Sequence, residues 1–426
     1  MVVPAWVGHL NPMTSLGRAL QTRGHDVAVL SFPESKDRVQ KAGLEFRCIG
    51  ARTFPFGEWE RRTRELSVLR GLAASRYTIR WLDSVADVML TELPTALSEG
   101  KFNDLVMDQV CFGADCAADS LGIPLTMACN ALPVHFQPDV PVHTETWAPG
   151  NGWLHRVRNR LVQRIVVRMG KSFLDRIRAD RRRRGRDFDV WHHFNEVPPT
   201  LAQVAQVPAC LDFPRRHAPD HFHNTGPWHE PKAQNGDGFD WSWLDGRPLI
   251  YASLGTLQNG QDHLYQLILD ACATLPMQVV LTRGREGGKP LPAIPSNAKV
   301  LGYGPQTALL QRASLVITHA GMNTTLEALT QGLPLVALPI GNEQPGIAAR
   351  IRYAGVGDWL AIRGLKPPRL RSMVEHVHQT ASYRERAREC ARELARVGGL
   401  TMAASIIEKA IQTGRRVTRG DLASPS

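Results

Sequence analysis

"THAGMNTTLEALTQGLPLVALPIGNEQ", residues 318 to 344, contains the sequence pattern that indicates the fold most clearly. Residues 315–318 are apolar or β-branched and predict a strand that ends at His319. A helical pattern begins almost at once and leads into a second apolar strand, residues 334–340, which is followed by the polar pair at 343–344. A strand, a helix and a strand in this order are typical of a parallel sheet covered by helices.

The same alternation of strands and helices runs through both halves of the chain. Nine apolar runs bounded by turn-forming residues predict strands at 26–32, 44–49, 104–108, 124–129, 248–255, 278–282, 298–303, 314–319 and 334–340. We therefore predict an α/β protein built on doubly wound parallel sheets with helices on both faces.

The N-terminus predicts a short strand at residues 2–5 and a helix directly after it. Asn11 is expected as the N-cap of this helix, Pro12 as its first residue and Gly24 as its stop. Only six residues precede Val7, which is short for a strand and its entry, so a trimmed first strand or a late-assigned start codon is expected here.

The length of 426 residues predicts two domains with a ligand cleft between them. A stretch rich in Pro, Gly, Asn and His, without periodicity, is typical of an interdomain linker. The predicted parts are a first domain at 1–213, the linker at 214–245, a second domain at 246–395, and a C-terminal helix and tail at 396–426 that crosses back to the first domain.

The net charge of +11 is concentrated in one segment, residues 156–187. This segment carries 12 arginines and one lysine against three aspartates, a local net charge of +10. Apolar residues recur there every four positions and predict an amphipathic helix with a cationic face; they are Val157, Leu161, Ile165, Met169 and Phe173. Two interpretations stay open, a solvated helix face and peripheral contact with an anionic membrane surface. The rest of the chain lacks the basic and aromatic pattern of nucleic-acid binders, so no nucleic-acid partner is expected.

The cysteines and the hydropathy pattern predict a cytoplasmic protein. The seven cysteines form no CxxC pair, which favours reduced thiols. No apolar run has the roughly 20 residues of a membrane span, and the N-terminus lacks the pattern of a secretory signal. His217, His221 and His223 have no further ligands at metal-binding spacing, so no metal site is expected.

The opening stretch also predicts an anion site. Ligands of open α/β sheets bind at the carboxyl ends of the strands, and a helix N-terminus at that edge favours a phosphate. His319 ends the strand, Gly321 allows close approach to the backbone, and Asn323 and Thr324 open the helix. The chain has no GxGxxG between a strand and a helix and no GxxxxGK[ST], which disfavours dinucleotide redox chemistry and P-loop phosphoryl transfer.

Residues 303–344, "YGPQTALLQRASLVITHAGMNTTLEALTQGLPLVALPIGNEQ", resemble the donor-sugar signature of the family 1 nucleotide-sugar glycosyltransferases, which have the GT-B fold. The similarity is to plant secondary-product enzymes and to bacterial carotenoid and polyketide glycosyltransferases. "YASLGT" (251–256) resembles the first donor-domain strand of this family, and "VGHLNPM" (7–13) resembles the start of its acceptor domain.

The resemblance implies a set of donor-binding residues. In the family pattern, the diphosphate would be bound by His319, Asn323, Thr324 and the loop at Gly255 and Thr256; the base would stack on Tyr303; the ribose would lie beside Gln306 and Glu327; and the sugar hydroxyls would bind Glu343 and Gln344. Tyr303 stands where plant enzymes have a Trp, so uracil and thymine both remain open as the base. The Gln at 344 favours glucose.

The resemblance also implies a catalytic pair. His9 would remove the proton from an acceptor hydroxyl, and Asp108 would orient its ring, with Asp115 and Asp119 as rivals for that role. The implied reaction is a single displacement with inversion, in which a UDP-sugar is a co-substrate and neither a cofactor nor a metal ion takes part.

Three hypotheses follow. The first is an inverting transfer of a hexose, glucose from UDP-glucose, to a lipophilic small molecule, because the acceptor half contains Trp59, Trp81, Phe112, Phe136 and Trp147. The second is a nucleotide-sugar epimerase or hydrolase on the same fold. The third is a cationic membrane-surface or nucleic-acid-binding protein in which the sugar-nucleotide site is vestigial.

Overall fold

The structure is a computed structural model that describes residues 1–197, 200–229, 238–257, 260–285, 287 and 290–422. Its N-terminal part contains strands β1 Ala28–Ser31, β2 Glu45–Cys48, β3 Leu105–Asp108, β4 Leu125–Cys129, β5 Thr200–Ala205 and β6 Phe222–Asn224. The helices of this part are α1 Val7–Gln21, α2 Lys36–Lys41, α3 Glu58–Val68, α4 Gly71–Thr91, α5 Leu93–Gly100, α6 Ala114–Leu121, α7 Trp153–Met169, α8 Lys171–Arg183 and α9 Val190–Asn195.

The N-terminal strands form one parallel arrangement whose order reverses at the start of the chain. β1 pairs with β2, β3 to β6 pair in sequence order, and Val2 joins the two groups through parallel bridges to Leu30 and Met107. In an open parallel sheet, ligands bind at such a reversal, outside the carboxyl ends of the strands. The segment after Val2 and the end of β3 therefore face the ligand side.

The second sheet is built from strands β7 Leu249–Ser253, β8 Gln278–Thr282, β9 Ala298–Leu301, β10 Ala313–Thr318, β11 Leu335–Ala337 and β12 Gly357–Trp359. Its helices are α10 Asp262–Cys272, α11 Gln306–Leu310, α12 Met322–Thr330, α13 Gln344–Tyr353, α14 Pro367–Gln379 and α15 Ala381–Val397. The strand order is β12-β11-β10-β7-β8-β9, so the order reverses between β7 and β10. Ser253 pairs with Thr318 at that point, which brings Gly255 and His319 together.

All nine predicted internal strands are present, with bounds that differ by a few residues. The strand predicted at residues 2–5 is reduced to the bridges of Val2. Three strands were not predicted, and one of them, β6, extends the N-terminal sheet into the range given to the linker. Residues 230–237 of that predicted linker lie outside the described residues.

The first helix begins earlier than the sequence indicated. α1 starts at Val7 with Trp6 before it, so the prediction of Asn11 as N-cap is wrong, and Pro12 lies inside the helix. His9 is consequently in the first helical turn. The side chains of Leu10, Met13 and Leu16 are buried against the sheet and anchor this turn.

A last helix, α16 Gly399–Thr413, packs on the N-terminal part. Its buried residues Ala403, Ile406 and Ile407 share a core with Leu16 of α1 and Val204 of β5. The two halves also meet at an ion pair between Arg350 Nε and Asp212 Oδ1, 2.7 Å apart and buried. These contacts place the carboxyl edges of the two sheets opposite each other.

The basic segment at 156–187 is two helices, α7 and α8, separated at Gly170, so the prediction of one amphipathic helix is wrong. Phe173 is buried as expected, whereas Val157, Leu161 and Ile165 are exposed. None of the helices in the described part of the chain has both the length and the apolarity needed to cross a bilayer.

A disulfide joins Cys210, in the loop after β5, to Cys390 of α15, which contradicts the prediction of reduced thiols throughout. The two residues are 180 positions apart. The pairing could not be predicted from sequence because it depends on the contact between two distant segments. Cys48, Cys111, Cys116, Cys129 and Cys272 are free.

We expect the double variant Cys210→Ser, Cys390→Ser to be less stable by about 2–4 kcal/mol, because the cross-link restricts the unfolded chain. Urea unfolding of both proteins without reductant measures the difference. Cys48→Ser, at an exposed free cysteine, is the control and should match the wild type. Equal midpoints for the double variant and the wild type would contradict the expectation.

Candidate active site

The side chains of His9 and Asp108 meet at the carboxyl edge of the N-terminal sheet. His9 Nδ1 lies 2.8 Å from Asp108 Oδ2. A carboxylate only accepts hydrogen bonds, so Nδ1 carries the hydrogen and Nε2 is left as the basic nitrogen. Asp108, the last residue of β3, is fully buried, and its other oxygen accepts from the backbone N–H of Val110 at 3.0 Å.

Burial and nearby charges act in opposite directions on His9. Burial alone lowers the pKa of His9, but the charge and hydrogen bond of Asp108, with the charge of Glu343, raise the pKa above its usual 6.5. Of the two rival carboxylates, Asp115 pairs with Arg181 and Asp119 lies 3.6 Å from Arg186. The geometry thus brings Asp108, and not its rivals, to His9.

The sequence did not predict that an amide side chain, that of Asn130, also bonds Asp108. Asn130, the first residue after β4, donates from Nδ2 to Asp108 Oδ2 at 2.7 Å. Gln206, the first residue after β5, donates to the Asn130 carbonyl. Polar residues at the ends of three consecutive strands were the signal in the sequence, but β5 had not been recognised and the sheet order was unknown.

The hydrogen bonds of Asn323 join the two halves of the chain at the helical turn that carries His9. Asn323 Nδ2 donates to the Gly8 carbonyl at 3.0 Å, and its Oδ1 accepts from Gln206 Nε2 at 3.1 Å. The Gly8 carbonyl would normally accept from the N–H four residues later, at Pro12, but proline has none. Pro12 therefore leaves this carbonyl available to the opposite domain, next to His9.

His319 lies in the second sheet between two glycines. A Cβ at Gly255 or at Gly321 would come within 2.5 Å of its ring Cε1, so both positions need glycine to hold the ring. Burial lowers the pKa of His319 to about 4, and a backbone hydrogen bond with Ser253 offsets this only in part. The imidazole is therefore neutral near pH 7, and its Nδ1 has no hydrogen-bond partner among the described residues.

The N-terminus of α12 opens towards the cleft beside His319. Gly321 precedes this helix and supplies no side-chain cap, so first-turn N–H groups and the helix dipole are directed at an incoming anion. Thr324 lies in this turn and lines the cleft, and Thr256 lines it from the loop after β7. Ala320 just before the helix has a φ of +66°, a strained conformation of the kind found at ligand sites.

Glu327 and Gln306 form a hydrogen-bonded pair near the same edge. Gln306 Nε2 donates to Glu327 Oε2 at 2.7 Å, and Gln306 Oε1 accepts from the hydroxyl of Tyr251 at 2.7 Å. Burial raises the pKa of Glu327, which the bond to Gln306 partly offsets. Tyr251 was not singled out in the sequence; its alternating position in β7 looked like an ordinary core site.

Glu343 and Gln344 follow β11 and differ in what they contact. Burial raises the pKa of Glu343, and the charge of His9 partly offsets that effect. Gln344 Oε1 accepts from the backbone N–H groups of Ile340 and Gly341 at 2.8 and 3.0 Å, so this oxygen orders its own loop. Asn342, with a φ of +53°, sets the turn that directs Glu343 towards the cleft.

The predicted site residues, except the fully buried Asp108, line one cleft of about 2950 Å³ between the two sheets. Tyr303 is 60% exposed at its edge, with its ring available to stack on a base. On the side of the first domain the wall is largely apolar and includes Trp59, Leu82, Phe112 and Phe173. Three other aromatic residues proposed for this wall do not line it: Trp81 and Phe136 are buried elsewhere, and Trp147 packs on Arg158.

Comparison with known proteins finds similarity to glycosyltransferases in both sequence and structure. Residues 266–405 match the family described as "Erythromycin biosynthesis protein CIII-like, C-terminal domain". The zeaxanthin glucosyltransferase of Pantoea ananas is 28% identical over 422 residues, which cover 98% of this chain and 97% of that protein. The crystal structure of the glycotransferase of kitacinnamycin is 25% identical with a TM-score of 0.74 and covers 96% of this chain and 97% of its own.

A further solved structure shares the fold. The glycosyltransferase SsfS6 of Streptomyces sp. SF2575, complexed with thymidine diphosphate, is 16% identical with a TM-score of 0.62, covering 96% of this chain and 98% of its own. The predicted fold, two Rossmann-like domains facing each other across a cleft, is confirmed.

We expect the turnover of the wild type to fall as the pH drops through the raised pKa of His9, because only the neutral imidazole can accept a proton. Asp108→Asn removes the negative charge that raises the pKa of His9, so the acid limb of the pH profile should move to lower pH. Its maximal rate should decrease roughly 10²-fold or more. Profiles of kcat/KM against pH measure both effects. Asp119→Asn is the matched control, and an unshifted limb in Asp108→Asn would contradict the assignment.

We expect Pro12→Ala to restore the helical N–H that competes with Asn323 for the Gly8 carbonyl. The value of kcat/KM should then decrease about fivefold to tenfold, the effect of one weakened hydrogen bond. Thermal stability should stay equal or rise, because a proline inside a helix is unfavourable. Pro367→Ala, at the start of α14, is the control. Parallel losses of stability and activity in Pro12→Ala would indicate a merely structural role.

Proposed function

We propose that this chain, a family 1 glycosyltransferase of the carotenoid and polyketide type with the GT-B fold, transfers glucose from UDP-glucose to a hydroxyl of a lipophilic small molecule. The observation that carries the proposal is the bond between Asn323 and Gly8. It holds the N-terminus of α12, which suits a diphosphate, directly opposite the pair formed by His9 and Asp108.

In the proposed reaction, His9 Nε2 takes the proton of the acceptor hydroxyl as its oxygen attacks the anomeric carbon. The bond between that carbon and the diphosphate oxygen breaks, and the nucleoside diphosphate leaves with the electron pair. Asp108 stabilises the imidazolium that forms, as the carboxylate of a catalytic triad does. A single displacement of this kind inverts the anomeric configuration.

We propose that His319 and the N-terminus of α12 stabilise the charge of the leaving diphosphate. His319 would donate its single N–H to the diphosphate in exchange for its hydrogen bond with the Ser253 backbone, and the helix dipole and N–H groups would favour the anion without a metal ion. Thr324 and the loop at Gly255 and Thr256 lie close enough to contribute, since they line the same part of the cleft. Because Asn323 also bonds the Gly8 carbonyl, we propose that it couples donor binding to the position of His9.

The donor proposal rests on three parts of the cleft. Tyr303 would stack on the base, and Gln306 with Glu327 would bind the ribose. Glu343 would bind hydroxyls of the hexose, and Gln344 would hold its loop in place. A relative named zeaxanthin glucosyltransferase favours glucose, whereas a structural neighbour bound to thymidine diphosphate keeps a thymine base in the test.

The acceptor proposal rests on the apolar wall of the cleft. Aromatic and aliphatic side chains such as Trp59, Phe112 and Phe173 would bind an apolar skeleton, and His9 and Asn130 would offer polar groups to the attacking hydroxyl. The name of the zeaxanthin glucosyltransferase also favours a lipophilic acceptor. We propose peripheral contact with a membrane as the route by which such an acceptor arrives.

Two alternative functions are less well supported. An epimerase or a hydrolase acts on the nucleotide sugar alone and needs no basic histidine on an apolar acceptor wall. A cationic binding protein with a vestigial sugar site does not require the buried bonds that hold His9, Asp108 and Asn130 in position.

The test is mass spectrometry of the products formed from a panel of UDP- and dTDP-sugars with carotenoid, polyketide and polyphenol acceptors. We expect a glycoside from UDP-glucose and a lipophilic alcohol or phenol. His9→Ala should lower kcat by roughly 10²–10⁴-fold and change the KM for the donor little, because His9 acts on the acceptor. His25→Ala, at a histidine paired with Glu408 on the surface, is the control.

A glycoside from no pairing would contradict the proposal. Consumption of the sugar nucleotide at the same rate without an acceptor would instead indicate a hydrolase, and recovery of an isomeric sugar nucleotide would indicate an epimerase.

A further inference from the structure

Helix α7 buries two amide side chains and exposes several large apolar ones, which is unusual for a surface helix. Its fully buried residues are Asn159 and Gln163, whose amides donate to the carbonyls of Pro138 and Gln137 at 3.0 and 2.8 Å. Five of its apolar residues are exposed and form one stripe, called here the outer stripe: Trp153, Leu154, Val157, Leu161 and Ile165; Val166 and Val167, by contrast, are partly buried against the core. Burial of amides and exposure of large apolar side chains is the opposite of what a helix in water favours.

The outer stripe is largely exposed and reaches the cleft at Ile165. Trp153, Val157 and Ile165 are 72%, 59% and 50% exposed. Ile165 also lines the cleft, where Phe56, 84% exposed, and Leu72 lie on other elements of the same wall. The exposed apolar surface is therefore continuous with the wall that faces the acceptor.

The charges beside the outer stripe indicate what covers it. Arg156, Arg160, Arg164 and Arg168 recur every four residues along α7 and form an arginine row next to the stripe, and the helix contains no acidic residue. Within the described residues, no salt bridge involves this row, although Arg160 lies over the ring of Trp191.

The arginines of α8 behave differently. Arg176 contacts Asp83 and Asp87, Arg181 contacts Asp115, and Arg183 contacts Asp180. Of the two adjacent basic helices, α8 has most of its charges paired within the protein, so the solvated-face interpretation fits it. The charge that remains for an external partner belongs to α7.

We propose that the outer stripe and the arginine row form a docking surface for an anionic lipid bilayer. The stripe enters the boundary between headgroups and acyl chains, and the arginines contact the acidic headgroups. A second copy of the chain fits less well, because two arginine rows would face each other at a symmetric interface. Docking in this orientation turns the acceptor side of the cleft towards the bilayer.

The proposal rests on the lipophilic acceptor proposed above. A molecule dissolved in a bilayer would pass along the outer stripe, over Ile165 and into the apolar wall, and would not need to enter water. The sugar nucleotide would reach the other side of the cleft from solution, near the exposed ring of Tyr303.

Co-sedimentation of the full chain with vesicles tests the surface. The vesicles contain either phosphatidylcholine alone or phosphatidylcholine with phosphatidylglycerol. The stripe variant is Leu154→Gln, Val157→Gln, Leu161→Gln; the row variant is Arg156→Gln, Arg164→Gln, Arg168→Gln. The control is Arg369→Gln, Arg392→Gln, Arg396→Gln, which removes the same charge from exposed positions of α14 and α15.

We expect the wild type and the control to bind the anionic vesicles. The row variant should lose affinity on the order of 100-fold, and the stripe variant at least about tenfold. Transfer to a water-soluble phenol should be unchanged in both variants, while transfer to an acceptor embedded in vesicles should decrease with binding.

Three results would overturn the proposal: no binding by the wild type, binding by the stripe variant equal to that of the wild type, or a dimer in light scattering that the stripe variant dissociates. Vesicle binding without transfer to any acceptor would leave the surface intact and contradict the proposed function instead. Transfer to soluble acceptors without vesicle binding would do the reverse.

Discussion

The buried carboxylate of Asp108 is the group on which the rest of the site depends. An ionised carboxylate without access to water is strongly unfavourable unless hydrogen-bond donors surround it. Here the donors are His9, Asn130 and the backbone of Val110, and each comes from a different strand end or helical turn. The need to satisfy one charge therefore fixes the relative positions of three segments and orients the imidazole that faces the cleft.

Further hydrogen bonds connect this group of residues to the other side of the cleft. Gln206 bonds the backbone of Asn130 and the side chain of Asn323, and Asn323 also bonds the Gly8 carbonyl that Pro12 leaves open. These hydrogen bonds connect α12 to the helical turn that carries His9, the proposed base. In this view the same hydrogen bonds hold both the helix that would bind the leaving diphosphate and the pair that would activate the acceptor.

The sequence predicted what depends on local pattern. His9 and His319 could be placed because each lies where an extended segment changes to a helix, and the carboxyl ends of parallel strands share one edge. Asn130 and Gln206 were missed because their roles depend on which strands are neighbours. Periodicity also indicated an apolar stripe on α7, but periodicity does not tell which side of a helix packs on the protein; the buried amides decide that, and they resemble ordinary surface residues in the sequence.

The anomeric configuration of the product tests the proposed single displacement, in which the base lies across the cleft from the leaving group. Proton NMR of the glycoside formed from α-configured UDP-glucose reports this configuration through the coupling between H1 and H2. We expect the large diaxial coupling of a β-glycoside from the first turnover onward. The small coupling of an α-glycoside would contradict it, because retention requires an intermediate or an attack from the face of the leaving group.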